Sequence, residues 1–358
     1  MKAGFFSPLP PARTGVADYS AALLRAMRET GEVAVNSDDT DVCLYHLGNN
    51  HLHRDIYRRA LARPGVVVLH DAVLHHFFLG TLDEPAYVDE FVHNYGAWSV
   101  DLARDLWRHR ARSAADPRYF QYPMLRRIAE TSKAVIVHNS AAARLVRTHA
   151  PATPVHELPH LSKPGTVHSV PAGDRVCCPR FGVFGHLRES KRLFSILRAF
   201  PAVRAAVPQA SLLVAGQMGS IEFARAVEPL LAQSGVVRRP FAPEPEFTHL
   251  LDSVDAGLNL RYPGAGETSG ISIRLMALAK PVLVTDSEET DRFPADACLR
   301  IDSGPAEVEI LAHMMIWLAT DPRAAREIGR RAQAHIERHH SPENAARLYW
   351  EVLRAHAG

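Results

Sequence analysis

Polar residues follow several apolar runs of the sequence, at points where a strand would end and a helix would begin. His70 and Asp71 follow the run VVVL, and His138 and Asn139 follow the run AVIV. In an open α/β sheet the ligand binds beyond the carboxyl ends of the strands, so these residues are candidates for a binding or catalytic site. Two other interpretations are open here, because a histidine at such a place can be structural and Asn139 or Ser140 can cap a helix.

The segment GAGETSGISIRLMALAKPVLVT places Glu267 and Thr268 just before a helical pattern. The amides of Ser269, Gly270 and Ile271 would suit phosphate oxygens, because they lie at the positive end of the helix dipole. Glu267 would repel a phosphate, so its carboxylate is better explained as an acceptor for sugar hydroxyls, with simple helix capping as the alternative. The segment therefore indicates a sugar attached to a diphosphate.

The segment FGVFGHLRESKRLFSILRAF places cations where a helix dipole disfavours them. Gly185 ends an apolar run, and Lys191 and Arg192 lie at the start of the next helical pattern. A bound pyrophosphate would explain these cations, and a solvated basic turn is the alternative. In SPLPPARTGVADYS, Gly15 likewise leads into a helix with Asp18 in its first turn, and a glycine here would let a ligand approach the backbone.

The composition argues against several function classes. The 358 residues include 41 basic and 39 acidic side chains, so the net charge of +2 does not favour nucleic acid, and small molecules are better candidate partners. No segment has the run of about 20 apolar residues that a membrane span needs, and the first residues lack the apolar core of a signal peptide. The four cysteines and 20 histidines show no metal-ligand spacing. We therefore expect a cytoplasmic protein without a bound metal.

Short apolar runs alternate with helical patterns through most of the chain. Runs that are apolar on both faces are typical of parallel strands covered by helices, so the predicted fold class is α/β with doubly wound sheets. The runs are AGFF, DVCLYH, VVVLH, AVIVH, VHEL, FGVFG, SLLVAG, AGLNL and PVLVT.

The length predicts two domains. We assign residues 1–163 to the first domain and residues 176–340 to the second. The segment at 164–175 is predicted as the linker, because it is rich in proline and glycine and has no apolar period. Residues 341–358 form a helical pattern around Tyr349 that is expected to pack back on the first domain.

Together these segments resemble the retaining glycosyltransferases of the GT-B fold, specifically glycosyltransferase family 4. The resemblance covers nearly the whole chain, through SPLPPARTGVADYS, VVVLHD, VIVHNS, FGHLRESKR and GETSGISIRLMALAKPVLVTD, of which the last is the most specific. It implies two Rossmann-like domains facing a central cleft, with the acceptor bound mainly by the first and a nucleotide-diphosphate sugar mainly by the second. This donor, of the UDP- or GDP-hexose type, would be a co-substrate, and no metal or other cofactor is implied.

The resemblance assigns roles to individual residues. His70 resembles the histidine that contacts the transferred sugar near its reacting carbon, and Glu267 resembles the first glutamate of a paired motif that holds this sugar. Lys191 resembles the lysine that neutralises the leaving phosphates, and Gly15 resembles the glycine of the N-terminal loop near the donor phosphate. Arg261 is a further donor-site candidate that can equally pair with Glu267. The other donor-binding candidates are Gly185, His186, Arg188, Arg192, Thr268, Ser269, Gly270 and Ile271, and the acceptor-side candidates are Asp18, Asp71, His138 and Asn139.

Two positions depart from the family pattern. His186 stands where the family often has an arginine, so Arg188, Lys191 or Arg192 would carry more of the phosphate charge. Leu275 stands in place of the second glutamate of the pair, which normally holds the nucleotide ribose, so the resemblance assigns no residue to the ribose.

The implied reaction is metal-independent transfer with retention, in which the acceptor hydroxyl attacks on the side of the leaving group and a phosphate oxygen takes its proton. Two alternatives are a nucleotide-sugar epimerase of the same fold and a non-catalytic sugar-nucleotide-binding protein. The acceptor could be a saccharide, a small molecule or a lipid-linked sugar. Residues 101–127 hold seven arginines, three aspartates and Trp107, which could form a surface for an anionic lipid-linked acceptor at the inner face of a membrane, with a solvated helix face as the alternative.

Overall fold

The computed structural model describes residues 1–12, 14–162 and 178–357. The chain divides into two compact units, the first made of Met1–Lys163, Pro263–Thr268 and His340–Gly358 and the second of Pro164–Tyr262 and Ser269–His339. The linker predicted at 164–175 lies outside the described residues. The segment Pro263–Thr268 groups with the first unit, although the sequence-based boundaries included it in the second domain.

A parallel sheet forms the centre of the first unit. Its strands are β1 (Lys2–Phe6), β2 (Glu32–Val35), β3 (Val42–Leu47), β4 (Val66–Leu69), β5 (Ala134–Val137) and β6 (Val155–Glu157). Their order in the sheet is β2-β1-β3-β4-β5-β6, so the direction of chain winding reverses between β1 and β3. Strands β3, β4 and β5 are buried along their whole length, because helices cover both faces of the sheet.

Helices connect these strands and cover the sheet. They are α1 (Gly15–Thr30), α2 (Arg54–Ala62), α3 (His75–Thr81), α4 (Glu84–Tyr95), α5 (Val100–Arg108), α6 (Arg118–Gln121), α7 (Arg126–Thr131) and α8 (Ser140–His149). Helix α1 begins at Gly15 because the side chain of Thr14 caps it by accepting a hydrogen bond from the Ala17 amide at 3.1 Å.

The second unit is built on the same plan. Its strands are β7 (Arg180–Phe184), β8 (Ser211–Ala215), β9 (Val236–Arg239), β10 (Ala256–Asn259), β11 (Val282–Thr285) and β12 (Leu299–Ile301). Its helices are α9 (Leu193–Ala206), α10 (Ile221–Leu231), α11 (Glu244–Asp252), α12 (Gly270–Ala277), α13 (Glu307–Thr320) and α14 (Pro322–His339). The parallel strands follow the order β12-β11-β10-β7-β8-β9, so the winding reverses between β7 and β10.

The last helix, α15 (Pro342–Ala355), belongs to the first unit and packs against α1. The indole N–H of Trp350 donates to the Met27 carbonyl at 3.2 Å, and the ring of Trp350 lies over Gly31 so closely that a Cβ there would collide with it. Tyr349 is fully buried beside α1. One face of the first sheet is therefore closed by residues that are distant in sequence.

The predicted α/β class with doubly wound parallel sheets is confirmed. Each of the nine predicted runs forms a strand, whereas β2, β9 and β12 were not predicted. These three strands lie at sheet edges and are only partly buried, so their sequences EVAV, VVRR and LRI lack the continuous apolar character of a central strand. No helix in the described part of the chain has both the length and the apolar character to cross a bilayer.

Candidate functional site

Four histidines and two tyrosines pack together at the carboxyl end of the first sheet. This histidine cluster consists of His46, His70, His138 and His160 with Tyr19 and Tyr349. The ring centroid of Tyr19 lies 4.8 Å from that of His70 and 4.6 Å from that of His160. The phenol oxygens of Tyr19 and Tyr349 are hydrogen-bonded at 2.8 Å. The cluster thus unites the ends of β3, β4 and β5 with helices α1 and α15.

The rings of the cluster are held by specific hydrogen bonds. His70 Nε2 lies 3.0 Å from His46 Nδ1, and His138 Nδ1 donates to the Leu158 carbonyl at 3.0 Å. His70 is 8% exposed and His46 is completely buried. Within this pair His70 is therefore the ring nearer to solvent, and His46 lies behind it.

The cluster is electrically neutral at physiological pH. Burial, followed by the charges of the neighbouring histidines, holds the pKa values of His46 and His70 well below their usual range. Burial lowers the pKa of His138 to about 4 and raises the pKa of Tyr19 above its usual range. Neutral imidazole and phenol groups can exchange hydrogen bonds with hydroxyl groups but cannot balance a phosphate charge, so this cluster is not an anion site.

The segment Pro263–Thr268 is fastened to the first unit beside β4. The carbonyl of Ala265 accepts hydrogen bonds from the amides of Ala72 and Val73 at 2.9 and 3.0 Å. Gly266 has a φ of +70°, and a Cβ on it would lie 2.7 Å from the Ala72 Cβ, so both backbone conformation and space require glycine there. These contacts place the segment against the residues that directly follow His70.

Asn139 both caps a helix and holds this segment. Its Oδ1 accepts from the Ala142 amide at 2.8 Å, which confirms the N-cap interpretation for α8. Its Nδ2 donates to the Gly266 carbonyl at 3.1 Å and to Thr268 Oγ1 at 2.9 Å. The hydrogen-bonding groups on both sides of Glu267 are thus fixed by one asparagine.

The two acidic candidates of this region have defined backbone contacts. Glu267 is 9% exposed, and its Oε2 accepts from the Ala265 amide at 2.7 Å, which folds the carboxylate back over its own loop. Asp71 Oδ2 accepts from the Asn49 amide at 2.8 Å and so joins the loops after β3 and β4. The first turn of α1 contains Asp18, and a Cβ on Gly15 would meet no atom of the described residues within 4 Å.

In the second unit, Lys191 lies at the switch point between β7 and β10. Its Nζ donates to Asn259 Oδ1 at 3.1 Å and to the Phe184 carbonyl at 3.4 Å, and the residue is 5% exposed. Phe184 and Asn259 are the last residues of β7 and β10. An ammonium group is therefore held where ligands bind in open α/β sheets.

The start of α12 lies beside this lysine. Ser269 caps the helix, and its Oγ also accepts from Asn259 Nδ2 at 2.6 Å and from Arg261 Nη2 at 3.3 Å. The amides of Gly270 and Ile271 make no hydrogen bond to any residue that the structure describes. Since such amides at a helix start attract anions, the cation and the helix start form one electropositive region.

Gly185 allows these elements to approach one another. It has a φ of +95°, and a Cβ on it would lie 2.6 Å from Ile271 Cδ1 and 4.0 Å from Lys191 Nζ. Any side chain at this position would be strained and would displace the first turn of α12.

Two other predicted donor-site residues, Arg192 and His186, have different electrostatic environments. Arg192 forms an ion pair with the buried Glu307, to which its Nε donates at 2.9 Å, and Ser195 Oγ also donates to this carboxylate at 2.9 Å. Its charge is therefore compensated within the unit. Partial desolvation and the positive charges of Arg188 and Lys191 lower the pKa of His186, which is consequently a neutral hydrogen-bonding group at pH 7.

Leu275 lies in the core of the second unit. It is completely buried, and its side chain fills the space above Gly257 so tightly that a Cβ there would collide with it. The position at which the family pattern has its second glutamate therefore faces the sheet rather than a ligand.

Sequence reasoning missed His46, Asn259 and Glu307. His46 and Asn259 are polar residues inside otherwise apolar runs, which was an available signal. Glu307 begins a distant helix, and nothing in the sequence links it to Arg192. In the described ranges, no three His, Cys, Asp or Glu side chains are grouped as metal ligands.

No protein-family model matches the sequence, and no curated protein matches it. Several solved structures are similar over the full length. Sucrose-phosphate synthase from Thermosynechococcus elongatus is 14% identical, with a TM-score of 0.69 over 99% of this chain and 98% of that one. HepE from Anabaena, in complex with UDP-glucose, is 12% identical, with a TM-score of 0.64 over 99% and 100% of the two chains. WaaG, a glycosyltransferase involved in lipopolysaccharide biosynthesis, is 15% identical, with a TM-score of 0.61 over 97% and 99%.

These similarities establish the fold. The two Rossmann-like units, each with a six-stranded parallel sheet, have the GT-B architecture of these structures, as the sequence predicted. Membership of glycosyltransferase family 4 stays a prediction.

Proposed function

We propose that this GT-B chain is a glycosyltransferase that moves a sugar from a nucleotide-diphosphate sugar to an acceptor hydroxyl. The observation that carries the proposal is the electropositive region of the second unit, where Lys191 is held at the β7–β10 switch point beside the start of α12. The complex of HepE with UDP-glucose supports a donor of this class, and we propose a UDP- or GDP-hexose.

The diphosphate of the donor would bind in this region. The ammonium of Lys191 and the amides of Gly270 and Ile271 would stabilise the negative charge that grows on the diphosphate as its bond to the sugar breaks. These groups are already in place before the reaction, so little reorganisation opposes it. The transfer would then need no metal ion.

The sugar would be bound by groups of the first unit. The neutral ring of His70 and the carboxylate of Glu267 are suited to hydroxyl groups, and both lie by the carboxyl end of β4. Asn139 would act on the sugar indirectly, by fixing the segment that carries Glu267.

We further propose that the transfer retains the anomeric configuration. The acceptor oxygen forms its bond to the anomeric carbon on the face from which the diphosphate leaves, and the carbon–oxygen bond to the phosphate breaks with its electron pair on the phosphate. The acceptor proton passes to an oxygen of the leaving diphosphate. The protein would act through positioning and electrostatic stabilisation.

The acceptor is proposed to be a saccharide or a small molecule. Five of the seven arginines at 101–127 form ion pairs with acidic side chains, so part of the positive charge that an anionic lipid surface would need is compensated within the protein. A lipid-linked acceptor and a peripheral membrane contact are therefore the less favoured form of the proposal. Cys43 and Cys298 are buried free thiols in the part of the chain that the structure describes, which fits a cytoplasmic setting.

The test begins with a thermal-shift screen of nucleoside diphosphates and their sugars, because a ligand of the native state raises the unfolding temperature. The best donor is then incubated with an acceptor library, with and without excess chelator, and the anomer formed is identified by NMR. Transfer with retention that persists in chelator is the expected result. Conversion of the donor alone into an epimer would show an epimerase, and binding without turnover in any mixture would show a binding protein.

A further inference from the structure

His46 is an unusual residue for its place in the fold. It lies in the central strand β3, whose other residues are Val42, Cys43, Leu44, Tyr45 and Leu47. The side chain is completely buried between Phe5, whose ring centroid is 4.8 Å away, and Tyr349, which stacks at 6.3 Å. A buried imidazole destabilises the fold unless a hydrogen bond offsets the loss of its hydration. The hydrogen-bond partner of His46 therefore indicates the role of this residue.

That partner is His70. His46 Nδ1 lies 3.0 Å from His70 Nε2, and one of these two nitrogens must carry the hydrogen that they share. The second nitrogen of His46, Nε2, is buried and has no hydrogen-bond partner among the described residues. The position of the hydrogen therefore decides what is left unsatisfied in the core.

The two possible arrangements are not equivalent. If His70 donated, the neutral ring of His46 would carry its hydrogen on Nε2, as a buried N–H group without an acceptor. If His46 donates through Nδ1, its Nε2 is only an unpaired ring nitrogen. Orphaned N–H groups are the rarer and costlier defect in protein interiors, so the second arrangement is favoured.

We propose that His46 is a positioning residue that fixes the tautomer of His70, so that His70 carries its hydrogen on Nδ1 and presents it as a donor to a sugar oxygen. No described residue forms a hydrogen bond with His70 Nδ1, and His70 is the member of the pair that reaches the surface. The catalytic consequence rests on the proposed glycosyltransferase function, whereas the tautomer itself does not.

The tautomer is measured first, on the protein without ligand, by two-dimensional ¹⁵N NMR of the histidine rings at pH 7.5. The His70 signals are assigned by their loss in His70→Gln. We expect the wild type to show His70 protonated at Nδ1. His46→Leu should release His70 toward the Nε2-protonated form, and His46→Asn, which keeps an N–H near the place of Nδ1, should restore the wild-type pattern. His75→Asn, a buried histidine outside the cluster, is the matched control.

The same variants are then assayed for transfer. We expect His46→Leu to lower kcat about tenfold with little change in the KM of the donor, and His46→Asn to recover most of this loss. The proposal is overturned if His70 of the wild type is protonated at Nε2, or if its tautomer is unchanged in His46→Leu. If His46→Leu does not fold, the wild-type spectrum alone still tests the proposed tautomer. The His70 tautomer could respond as expected while the protein shows no transferase activity. That result would support the role of His46 in fixing the tautomer and would contradict the proposed glycosyltransferase function.

Discussion

Lys191 is the residue on which the proposed diphosphate site depends most. Replacing it by methionine keeps an unbranched side chain at the β7–β10 switch point but removes the charge that would stabilise the leaving diphosphate. We expect kcat to fall about a hundredfold or more, the scale of losing one preorganised electrostatic group. Arg198→Met, which removes an exposed cation from α9, is the control and should leave kcat unchanged. A folded Lys191→Met enzyme with full turnover would contradict the assignment.

A substitution at Glu267 can distinguish recognition of the sugar from recognition of the phosphates. Glu267→Gln preserves shape and removes the charge, and a charge-assisted hydrogen bond contributes about 1.5–3 kcal/mol. We therefore expect the intact sugar nucleotide to bind about 10- to 100-fold more weakly, and the bare nucleoside diphosphate to bind as in the wild type. Calorimetric titration of both ligands makes the comparison. Equal weakening of the two would mean that Glu267 organises its loop instead.

The sequence revealed individual site residues only where they violated a local rule. Lys191 stood out because a cation at a helix start is disfavoured, and Glu267 because a carboxylate stood beside an anion site. Asn259 interrupts an apolar run, but its role could not be assigned from the sequence, because its contact with Lys191 depends on β7 and β10 being neighbours in the sheet although they are not consecutive in the chain. The same holds for the pair of Arg192 and Glu307, which belongs to two distant helix starts.

At the scale of elements, the segment Pro263–Thr268 is expected to depend on Asn139. Asn139→Ser retains a good N-cap for α8 but cannot span to the Gly266 carbonyl and Thr268 Oγ1. Two lost hydrogen bonds at about 1 kcal/mol each should let the segment open more often. Faster amide hydrogen exchange at residues 265–268, with weaker binding of the sugar nucleotide, is the expected result.

Asn139→Ala provides the comparison, since it removes the cap as well and should in addition lower the free energy of unfolding by about 1 kcal/mol. If the amides of residues 265–268 exchanged in Asn139→Ser at the wild-type rate, the backbone hydrogen bonds from Ala72 and Val73 would be sufficient to hold the segment.

Central strands could be predicted and edge strands could not, for a physical reason. A strand buried on both faces, such as β4 with the sequence VVVL, needs a continuous apolar run. Strand β9, with the sequence VVRR, is partly solvated and has no such run to indicate a strand. The packing of Pro263–Thr268 on the first unit was equally hidden, because it is decided by backbone hydrogen bonds that carry no side-chain signature.

At the scale of the whole molecule, the buried neutral histidines make stability depend on pH. Burial lowers the pKa of His53 and of His138 to about 4 and that of His75 to about 3. Below pH 6.5 the unfolded chain binds protons at these positions while the native protein does not, so stability is lost as the pH falls from 6.5 toward 4. Each such histidine should contribute about 1.4 kcal/mol per pH unit in that window.

Urea denaturation at pH 7.5, 6.0 and 5.0 measures this slope. His53→Asn should reduce it, because one group no longer binds a proton on unfolding. His51→Asn, which changes an exposed histidine of the same turn, is the control. A slope that is the same in both variants and the wild type would show that His53 does not contribute.

The closure of the first sheet by α15 has a consequence for synthesis on the ribosome. The sheet of the first unit is complete once β6 has emerged, but Tyr349 and Trp350, which cover α1, are made only after the entire second unit. A nascent chain must therefore carry an exposed apolar face on its first unit while the second unit completes its own core. Arrested chains that end before His340 should accordingly show a protease-resistant second unit and a sensitive first one, so the half of the molecule that is translated first would be the last to mature.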